Sequence, residues 1–223
     1  MGMARSTKTI TRPKAIIFDW DNTLVDTWVV IHDALNATFN DWGMEKWTIE
    51  ETKTRVAHSM RDSFPSIFGD DWERAGKEFY GHFEKNHLER LTPLPNAESV
   101  VGELFEIGIH MAIVSNKTGR LLRLEVEHLG WDKIFKSVVG SLDAAHDKPA
   151  PDPVLLALAG STINPGNDVW FVGDAAIDMQ CAKNSGCFGI LVHKNPPKIA
   201  EFGDFMPDFH TDELCSLPNL AKT

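Results

Sequence analysis

Residues 15–26 read AIIFDWDNTLVD, in which an apolar run passes directly into a segment that is rich in carboxylates. Asp is a poor strand former, and carboxylates that are brought together repel one another. Asp19, Asp21 and Asp26 nevertheless follow the apolar run at once. This arrangement indicates that a cationic group or ion sits beside them.

Short apolar runs of the same kind recur along the chain and are continuous rather than alternating, as expected for strands buried on both faces. The predicted strands span residues 15–18, 111–114, 138–139, 169–172 and 189–192. Helical patterns lie between them, at residues 97–106, 119–128, 152–159 and 176–185. The alternation of strands and helices predicts a Rossmann-like α/β core whose parallel sheet is covered on both faces.

Residues 27–91 break this alternation because they contain no convincing strand pattern. Their apolar residues recur at helical spacing, for example Trp28, Ile31, Leu35 and Phe39. We therefore predict an α/β core formed by residues 1–26 and 92–223, with an all-helical cap domain at residues 27–91. A helical insertion directly after the first strand is well placed to act as a lid.

The composition is that of an ordinary globular protein. With 223 residues, of which 43% are hydrophobic, the chain can bury a full core. The net charge of −10 disfavours nucleic acid and anionic membranes as partners, since either needs a clustered basic face. No apolar run approaches membrane-spanning length, and three cysteines without zinc spacing favour a reducing, cytoplasmic setting. The sequence predicts no particular oligomeric state.

Polar residues follow the predicted strands where each strand ends. In an open parallel sheet, ligands bind outside the carboxyl ends of the strands, so these side chains should meet at one edge. The residues concerned are Asp19 and Asp21 after the first strand, Ser115 and Asn116 after the second, Lys148 in a loop before a helix, and Asp174 and Asp178 after the fourth strand.

Asp19 and Asp21 suit nucleophilic and acid–base chemistry. A carboxylate aimed from a strand end can attack a ligand. If the backbone stays extended, Asp21 faces the same side and can exchange a proton. Asn22 tolerates the left-handed conformation of a tight turn, and the Thr23 hydroxyl can lock that turn. Taken alone, DWDNT is equally consistent with an ordinary Asx-type turn at a strand end.

The segment GDAAID, residues 173–178, favours a metal site. Asp174 and Asp178 are four residues apart and share a face if a helix has already begun. Together with one carboxylate of the first pair, they offer the hard oxygen ligands that suit Mg²⁺. The alternative is helix capping by Asp174, which is a frequent use of Asp.

Ser115, Asn116 and Lys148 complement these carboxylates. A hydroxyl, an amide and an ammonium group can hold the non-reacting oxygens of a phosphoryl group, and Lys148 offsets the charge of Asp19. Taken singly, Ser115 is more commonly a turn residue and Lys148 a solvated surface residue. Phosphoryl transfer depends mainly on positioning and charge stabilisation, and the whole set supplies both.

In this order, the four motifs resemble those of the haloacid dehalogenase superfamily. They are DxDxT at residues 19–23, Ser115, Lys148 followed by Pro, and GDxxxD at residues 173–178. Within the superfamily, the chain resembles the small phosphatases with a helical cap, which include phosphoglycolate phosphatases, and β-phosphoglucomutase. Two positions depart from the family pattern, because Asn22 stands where Gly is usual and Trp20 where Phe or Leu is more frequent.

The resemblance implies a metal-dependent hydrolase. Asp19 would attack phosphorus and form an aspartyl-phosphate, while Asp21 would protonate the leaving oxygen and then activate the water that cleaves the intermediate. Mg²⁺ would be held by Asp19, the backbone carbonyl of Asp21 and Asp174, with Asp178 as a further ligand or as a support. Asn116 would contribute its backbone N–H to the phosphate.

Substrate-binding residues are predicted in both domains. In the core they are Thr23 and Asn116. In the cap, the segment AHSMRDSF resembles the cap loop of sugar-phosphate mutases and phosphoglycolate phosphatases, where a basic residue contacts the distal part of the substrate. Arg61 best matches that residue, and His32 lies near a position where some phosphoglycolate phosphatases carry His. For both cap residues, a solvated helix face is the alternative.

The sequence therefore predicts a Mg²⁺-dependent phosphatase that acts on a small phosphorylated metabolite, either phosphoglycolate-like or a sugar phosphate. A phosphomutase stays open, since the sequence does not reveal whether water or a second hydroxyl accepts the phosphoryl group. A binding module without activity is disfavoured by the complete carboxylate set. Dehalogenation is disfavoured by Asp21, for which that reaction has no role.

Overall fold

The computed structural model describes residues 9–56 and 60–222, with the side chains of residues 60–62 excepted. The chain divides into two compact units. One consists of Met1–Val25 and Pro93–Thr223, and the other of Asp26–Thr92.

The first unit is built on a parallel sheet. Its strands are β1 (Ala15–Phe18), β2 (His110–Thr118), β3 (Ser137–Ser141), β4 (Val169–Gly173), β5 (Phe188–Val192) and β6 (Phe209–Thr211). The spatial order is β3-β2-β1-β4-β5-β6, with every neighbouring pair parallel. The predicted Rossmann-like α/β fold is thereby confirmed, and β1 occupies the centre of the sheet.

Helices connect the strands and cover the sheet. They are α5 (Ala97–Glu106), α6 (Gly119–His128), α7 (Asp152–Leu158), α8 (Ala176–Ser185), α9 (Ile199–Phe202) and α10 (Leu217–Leu220). Successive residues of β1 point to opposite faces of the sheet, and both faces are fully buried. Ile17 joins a cluster with apolar residues of α7 and α8, whereas the ring of Phe18 packs edge-on against Phe135. Burial on both faces explains why the strands are continuous apolar runs.

Two details of the sheet differ from the sequence prediction. The strand β6 was not predicted, because it has only three residues and all of them are partly exposed at the edge of the sheet. The prediction that β2 ends before Ser115 is wrong, since the strand continues to Thr118 with a register shift between Val114 and Thr118. Ser115 and Asn116 therefore lie within an irregular strand end.

The second unit consists of α1 (Trp28–Asp41), α2 (Ile49–Arg55), α3 (Met60–Phe68), a 3₁₀ turn (Gly69–Asp71) and α4 (Trp72–Asn86). No strand occurs among the residues of this unit that the structure describes. Its core is aromatic, with the rings of Phe39, Phe64 and Phe79 buried. The apolar pattern that predicts α1 matches the buried face of this helix only in part, because Trp28 and Ile31 are partly exposed. The role of this unit as a lid stays a prediction.

Across residues 9–56 and 60–222, the helices are all too short or too polar to span a bilayer.

Candidate active site

The register of the sheet brings the predicted motifs to one edge. Phe18, the last residue of β1, pairs with Ile113 of β2 on one side and with Val172 of β4 on the other. The backbone N–H of Asp19 then donates to the carbonyl of Val172 at 2.8 Å. Residues that follow β1 and those at the ends of β2 and β4 are therefore neighbours at the carboxyl edge of the sheet.

The chain turns sharply after Asp19. The N–H of Leu24 donates to the carbonyl of Trp20 at 2.9 Å, and the N–H of Asn22 donates to the carbonyl of Val25 at 2.7 Å. Asn22 has a φ of 59°, which is the left-handed conformation predicted for it. Asn adopts this conformation more readily than most residues other than Gly, which accounts for Asn22 at this position of the turn.

Lys148 lies at the centre of the candidate site. Its Nζ is 2.6 Å from Oδ1 of Asp19 and 2.7 Å from Oδ1 of Asp178, and its side chain is only 3% exposed. Burial by itself lowers the pKa of Lys148, but the two adjacent carboxylates raise it by more, so that the net shift is upward. Lys148 is therefore a fixed positive charge against Asp19.

Asn116 holds the backbone of Lys148 in place. Its Nδ2 donates to the carbonyl of Lys148 at 3.0 Å, and its Oδ1 accepts from the N–H of Lys148 at 3.0 Å. These two bonds give the side-chain amide a structural role, and its predicted contact with phosphoryl oxygens stays a prediction. The backbone N–H of Asn116 remains the group predicted to contact phosphate.

Asp178 supports the site from the first turn of α8. Its Oδ1 accepts from Lys148 and its Oδ2 accepts from the backbone N–H of Ala175 at 3.1 Å. A Cβ at Gly173 would overlap the Cβ and Cγ of Asp178, so that only glycine leaves room for this side chain. Of the two predicted roles of Asp178, these contacts favour the support of Lys148 over direct metal binding.

Asp19, Asp174 and Asp178 form the predicted carboxylate cluster. Each offers an oxygen, and these three oxygens all lie within 4.8 Å of one another. The Thr23 hydroxyl lies 3.3 Å from Oδ2 of Asp19 and 3.3 Å from Oδ1 of Asp174, and bridges the two carboxylates. Thr23 itself is buried, so its hydroxyl contributes to the spacing of the carboxylates and not only to the turn.

The protonation of this cluster depends on a counter-charge. Burial raises the pKa of Asp19 to about 7, with Asp178 and Asp21 adding to the effect and Lys148 opposing it. Burial likewise raises the pKa of Asp174 to about 8, reinforced by Asp19 and Asp178. Three carboxylates and one lysine leave an excess of two negative charges, which a divalent cation would neutralise. The donor set of hard oxygens fits Mg²⁺ in charge and chemistry.

Asp21 is paired with a second lysine. Nζ of Lys117 lies 2.7 Å from Oδ1 of Asp21 and 2.6 Å from Oε2 of Glu125, and Nε1 of Trp20 donates to the same Oε2 at 2.7 Å. Burial by itself lowers the pKa of Lys117, but the carboxylates of Asp21 and Glu125 raise it by more. Lys117 and Glu125 were not predicted as site residues, although Lys117 directly follows the predicted pair Ser115 and Asn116.

Ser115 is buried beside these groups at the end of β2. Its Oγ accepts a hydrogen bond from the backbone N–H of Lys117 at 3.1 Å. This bond fixes the position of the oxygen and leaves the hydroxyl proton free to be donated to an anion.

The two predicted cap residues lie in the second unit. His32 is on α1, where its Nδ1 is 3.1 Å from the Oγ1 of Thr52 and its ring contacts the amide of Asn36. Arg61 lies near the start of α3, and its side chain falls outside the described part of the structure. The substrate-binding roles of His32 and Arg61 stay predictions.

These features define the class of protein. The haloacid dehalogenase-like hydrolase family matches residues 16–192, which include all four motifs, and the chain belongs to this family. The family predicted from the motifs is confirmed, as is the prediction of a hydrolase.

Individual relatives are distant but span nearly the whole chain. A phosphoglycolate phosphatase of Chromobacterium violaceum is 27% identical over 94% of this chain and 96% of its own length. A pyrophosphatase PpaX of Anoxybacillus flavithermus is 27% identical over 91% of this chain and 94% of its own length. The crystal structure of a HAD-superfamily hydrolase from Ehrlichia chaffeensis is similar with a TM-score of 0.65 and 28% identity, covering 96% of this chain and 98% of the other.

Proposed function

We propose that this protein is a Mg²⁺-dependent phosphatase that hydrolyses a small organic phosphate monoester through an aspartyl-phosphate. The main support is the placement of Asp19, with Lys148 2.6 Å from one of its oxygens and the carboxylates of Asp174 and Asp178 beside it. A nucleophilic carboxylate can approach an anionic ester only where positive charge offsets the repulsion.

In the first half-reaction, a carboxylate oxygen of Asp19 attacks phosphorus and the bond to the ester oxygen breaks. The leaving oxygen takes the proton of the Asp21 carboxyl group, so that an alcohol departs and Asp21 becomes a carboxylate. Throughout this step Lys148 stays on Asp19, and the Ser115 hydroxyl and the backbone N–H of Asn116 hold phosphoryl oxygens. When bound by Asp19, Asp174 and the carbonyl of Asp21, Mg²⁺ supplies further neutralisation of charge.

In the second half-reaction, water attacks the phosphorus of the aspartyl-phosphate. Asp21 takes a proton from this water, the acyl-phosphate bond breaks, and inorganic phosphate leaves with the Asp19 carboxylate regenerated. Asp21 is the more exposed of the two carboxylates, with 28% of its side chain accessible against 8% for Asp19. This difference fits a nucleophile shielded from solvent next to an acid–base group that exchanges protons with water.

For the substrate, we propose a small phosphorylated metabolite of the cytoplasm, phosphoglycolate-like or a sugar phosphate. Relatives named phosphoglycolate phosphatase and pyrophosphatase support a compact, strongly anionic substrate. Arg61 and His32 are the proposed cap residues for its distal part.

The test is a panel of phosphorylated metabolites and one aryl phosphate, incubated with Mg²⁺ or EDTA and scored by release of phosphate. We expect release with Mg²⁺, loss in EDTA, and no turnover by Asp19→Asn, which should retain the circular dichroism of the wild type. With the aryl phosphate, whose leaving group departs more readily without a proton, Asp21→Asn should accumulate covalent phosphate on Asp19, visible by mass spectrometry. Turnover by Asp19→Asn, or activity indifferent to EDTA, would contradict the proposal.

A further inference from the structure

Asp21, Lys117, Glu125 and Trp20 form a network that runs from the candidate site into the hydrophobic core. The role that we infer for this network rests on the proposed function. We propose that Glu125, held by Trp20, positions Lys117 against Asp21 and thereby fixes the acid–base carboxylate where the leaving oxygen is released. Glu125 and Trp20 are thus positioning residues, which act through Lys117 and do not touch the substrate.

The contacts form one continuous chain. Lys117 bridges two carboxylates, with its Nζ 2.7 Å from Asp21 and 2.6 Å from Glu125. Exposure falls steadily along this chain, from 28% for the side chain of Asp21 to 7% for Lys117 and 1% for Glu125. A lysine side chain has many rotamers, and two short contacts at its end select one of them. The position of the ammonium group is therefore determined from the buried side.

Trp20 closes the network onto the catalytic turn. Its indole N–H donates to the same Oε2 of Glu125 that contacts Lys117, at 2.7 Å. The Trp20 side chain is fully buried and packs edge-on against Trp131, with ring centroids 5.8 Å apart. Because Trp20 lies between Asp19 and Asp21 in the chain, the same residue anchors Glu125 and the backbone of both carboxylates. Phe or Leu at this position could not donate this hydrogen bond.

Stability alone does not account for a charged residue at 125. Glu125 is in the middle of α6 and is 1% exposed, where an apolar side chain would avoid the cost of desolvating a carboxylate. Replacement of buried ion pairs by well-packed apolar residues is often neutral or stabilising. We therefore infer that Glu125 contributes to the position of Asp21, which it reaches through Lys117, and not to stability.

This geometry matters most for esters with a poor leaving group. An alkoxide needs a proton as it departs, whereas 2,4-dinitrophenolate leaves without one. The value of kcat/KM reports the first half-reaction, in which this proton is given. Displacement of Asp21 should therefore lower kcat/KM for an alkyl phosphate and spare that for 2,4-dinitrophenyl phosphate.

The experiment compares these two substrates in the full-length protein with Mg²⁺. The alkyl substrate is phosphoglycolate, or glucose 6-phosphate if phosphoglycolate is not hydrolysed. For Glu125→Gln we expect kcat/KM for the alkyl substrate to fall by about ten- to a hundred-fold, the scale of a misplaced catalytic group, with less than about a threefold change for the dinitrophenyl ester. Asp21 also activates the water of the second half-reaction. On the dinitrophenyl ester, slower hydrolysis of the intermediate should therefore lower kcat and KM by the same factor, so that kcat/KM is unchanged.

Trp20→Phe provides an independent test that preserves a buried ring, and it should give the same selective loss of kcat/KM for the alkyl substrate. It also keeps the inference testable if Glu125→Gln does not fold. Trp131→Phe is the matched control, since it removes another indole from the same aromatic contact and should leave the ratio of the two kcat/KM values unchanged. Equal losses on both substrates for Glu125→Gln and Trp20→Phe would overturn the inference. An inactive wild type would instead overturn the proposed function, so the two failures are distinguishable.

Discussion

Replacement of Lys148 by Met should destabilise the metal-free protein strongly. Its ammonium group lies 2.6 Å from Asp19 and 2.7 Å from Asp178, and the side chain is 3% exposed. At an effective dielectric constant of about 20, charges at such a distance attract by roughly 6 kcal/mol, and the desolvation of the charges offsets part of this. Loss of one partner of a buried pair typically costs about 3–5 kcal/mol, which is our expected decrease in the free energy of unfolding.

The assay is urea unfolding in EDTA and in Mg²⁺, near neutral pH and at about pH 5. Mg²⁺ should restore part of the lost stability, because the cation replaces the missing positive charge. At the lower pH the loss should shrink, since the carboxylates then bind protons and no longer need a counter-charge. The control is Lys183→Met, because Lys183 lies at the surface, where its Nζ donates to the backbone carbonyl of Asp204 and lies over the ring of Phe205, and no carboxylate is paired with it in the described contacts. If the two variants are equally stable in EDTA near neutral pH, the reasoning on Lys148 is wrong.

Three further predictions concern the packing, the titration and the cap. Gly173→Ala should lose about 1–3 kcal/mol of stability, together with activity, because the new Cβ displaces Asp178. Gly102→Ala is the control and should lose neither, because its Cβ meets open space. The pKa values of Asp19, about 7, and Asp174, about 8, lie above their unfolded value near 4, so the native state binds the extra protons. In EDTA the free energy of unfolding should therefore fall as the pH rises from about 6 to about 8.5, and Mg²⁺ should reduce this fall. If the free energy of unfolding in EDTA does not change over this range, the raised pKa values of Asp19 and Asp174 are wrong. Arg61→Ala should lower kcat/KM on the natural substrate far more than on a small aryl phosphate, and equal losses on both would refute its role in specificity.

The central strands could be predicted from the sequence because they are buried on both faces. Ala15–Phe18 and Val169–Gly173 are continuous apolar runs with no polar residue to interrupt them. The edge strand Phe209–Thr211 has no such pattern, because partly exposed residues at a sheet edge carry no strong apolar signal. The irregular end of β2 also went unpredicted, since a register shift depends on the neighbouring strand and not on local residues.

The site residues that could be predicted from the sequence are those in the segments that follow the strands. Asp19, Lys148, Asp174 and Asp178 are brought together because parallel strands end at one edge. Glu125 could not be found in this way, since it lies on a helix and is 105 positions from the indole of Trp20 that it contacts. The hydrogen bonds of the Asn116 side chain to Lys148 depend likewise on the path of a loop 32 positions away.

Each of the two neighbouring carboxylates has its own lysine. Lys148 arrives from the loop before α7 and contacts Asp19, while Lys117 arrives from β2 and contacts Asp21. The proposed nucleophile and the proposed acid–base group are thus held by separate parts of the structure, although only one residue separates them in the chain. Under the proposed mechanism, substitutions at positions 117 and 125 should change which alcohols are released, while the contacts of Asp19 with Lys148 stay as they are.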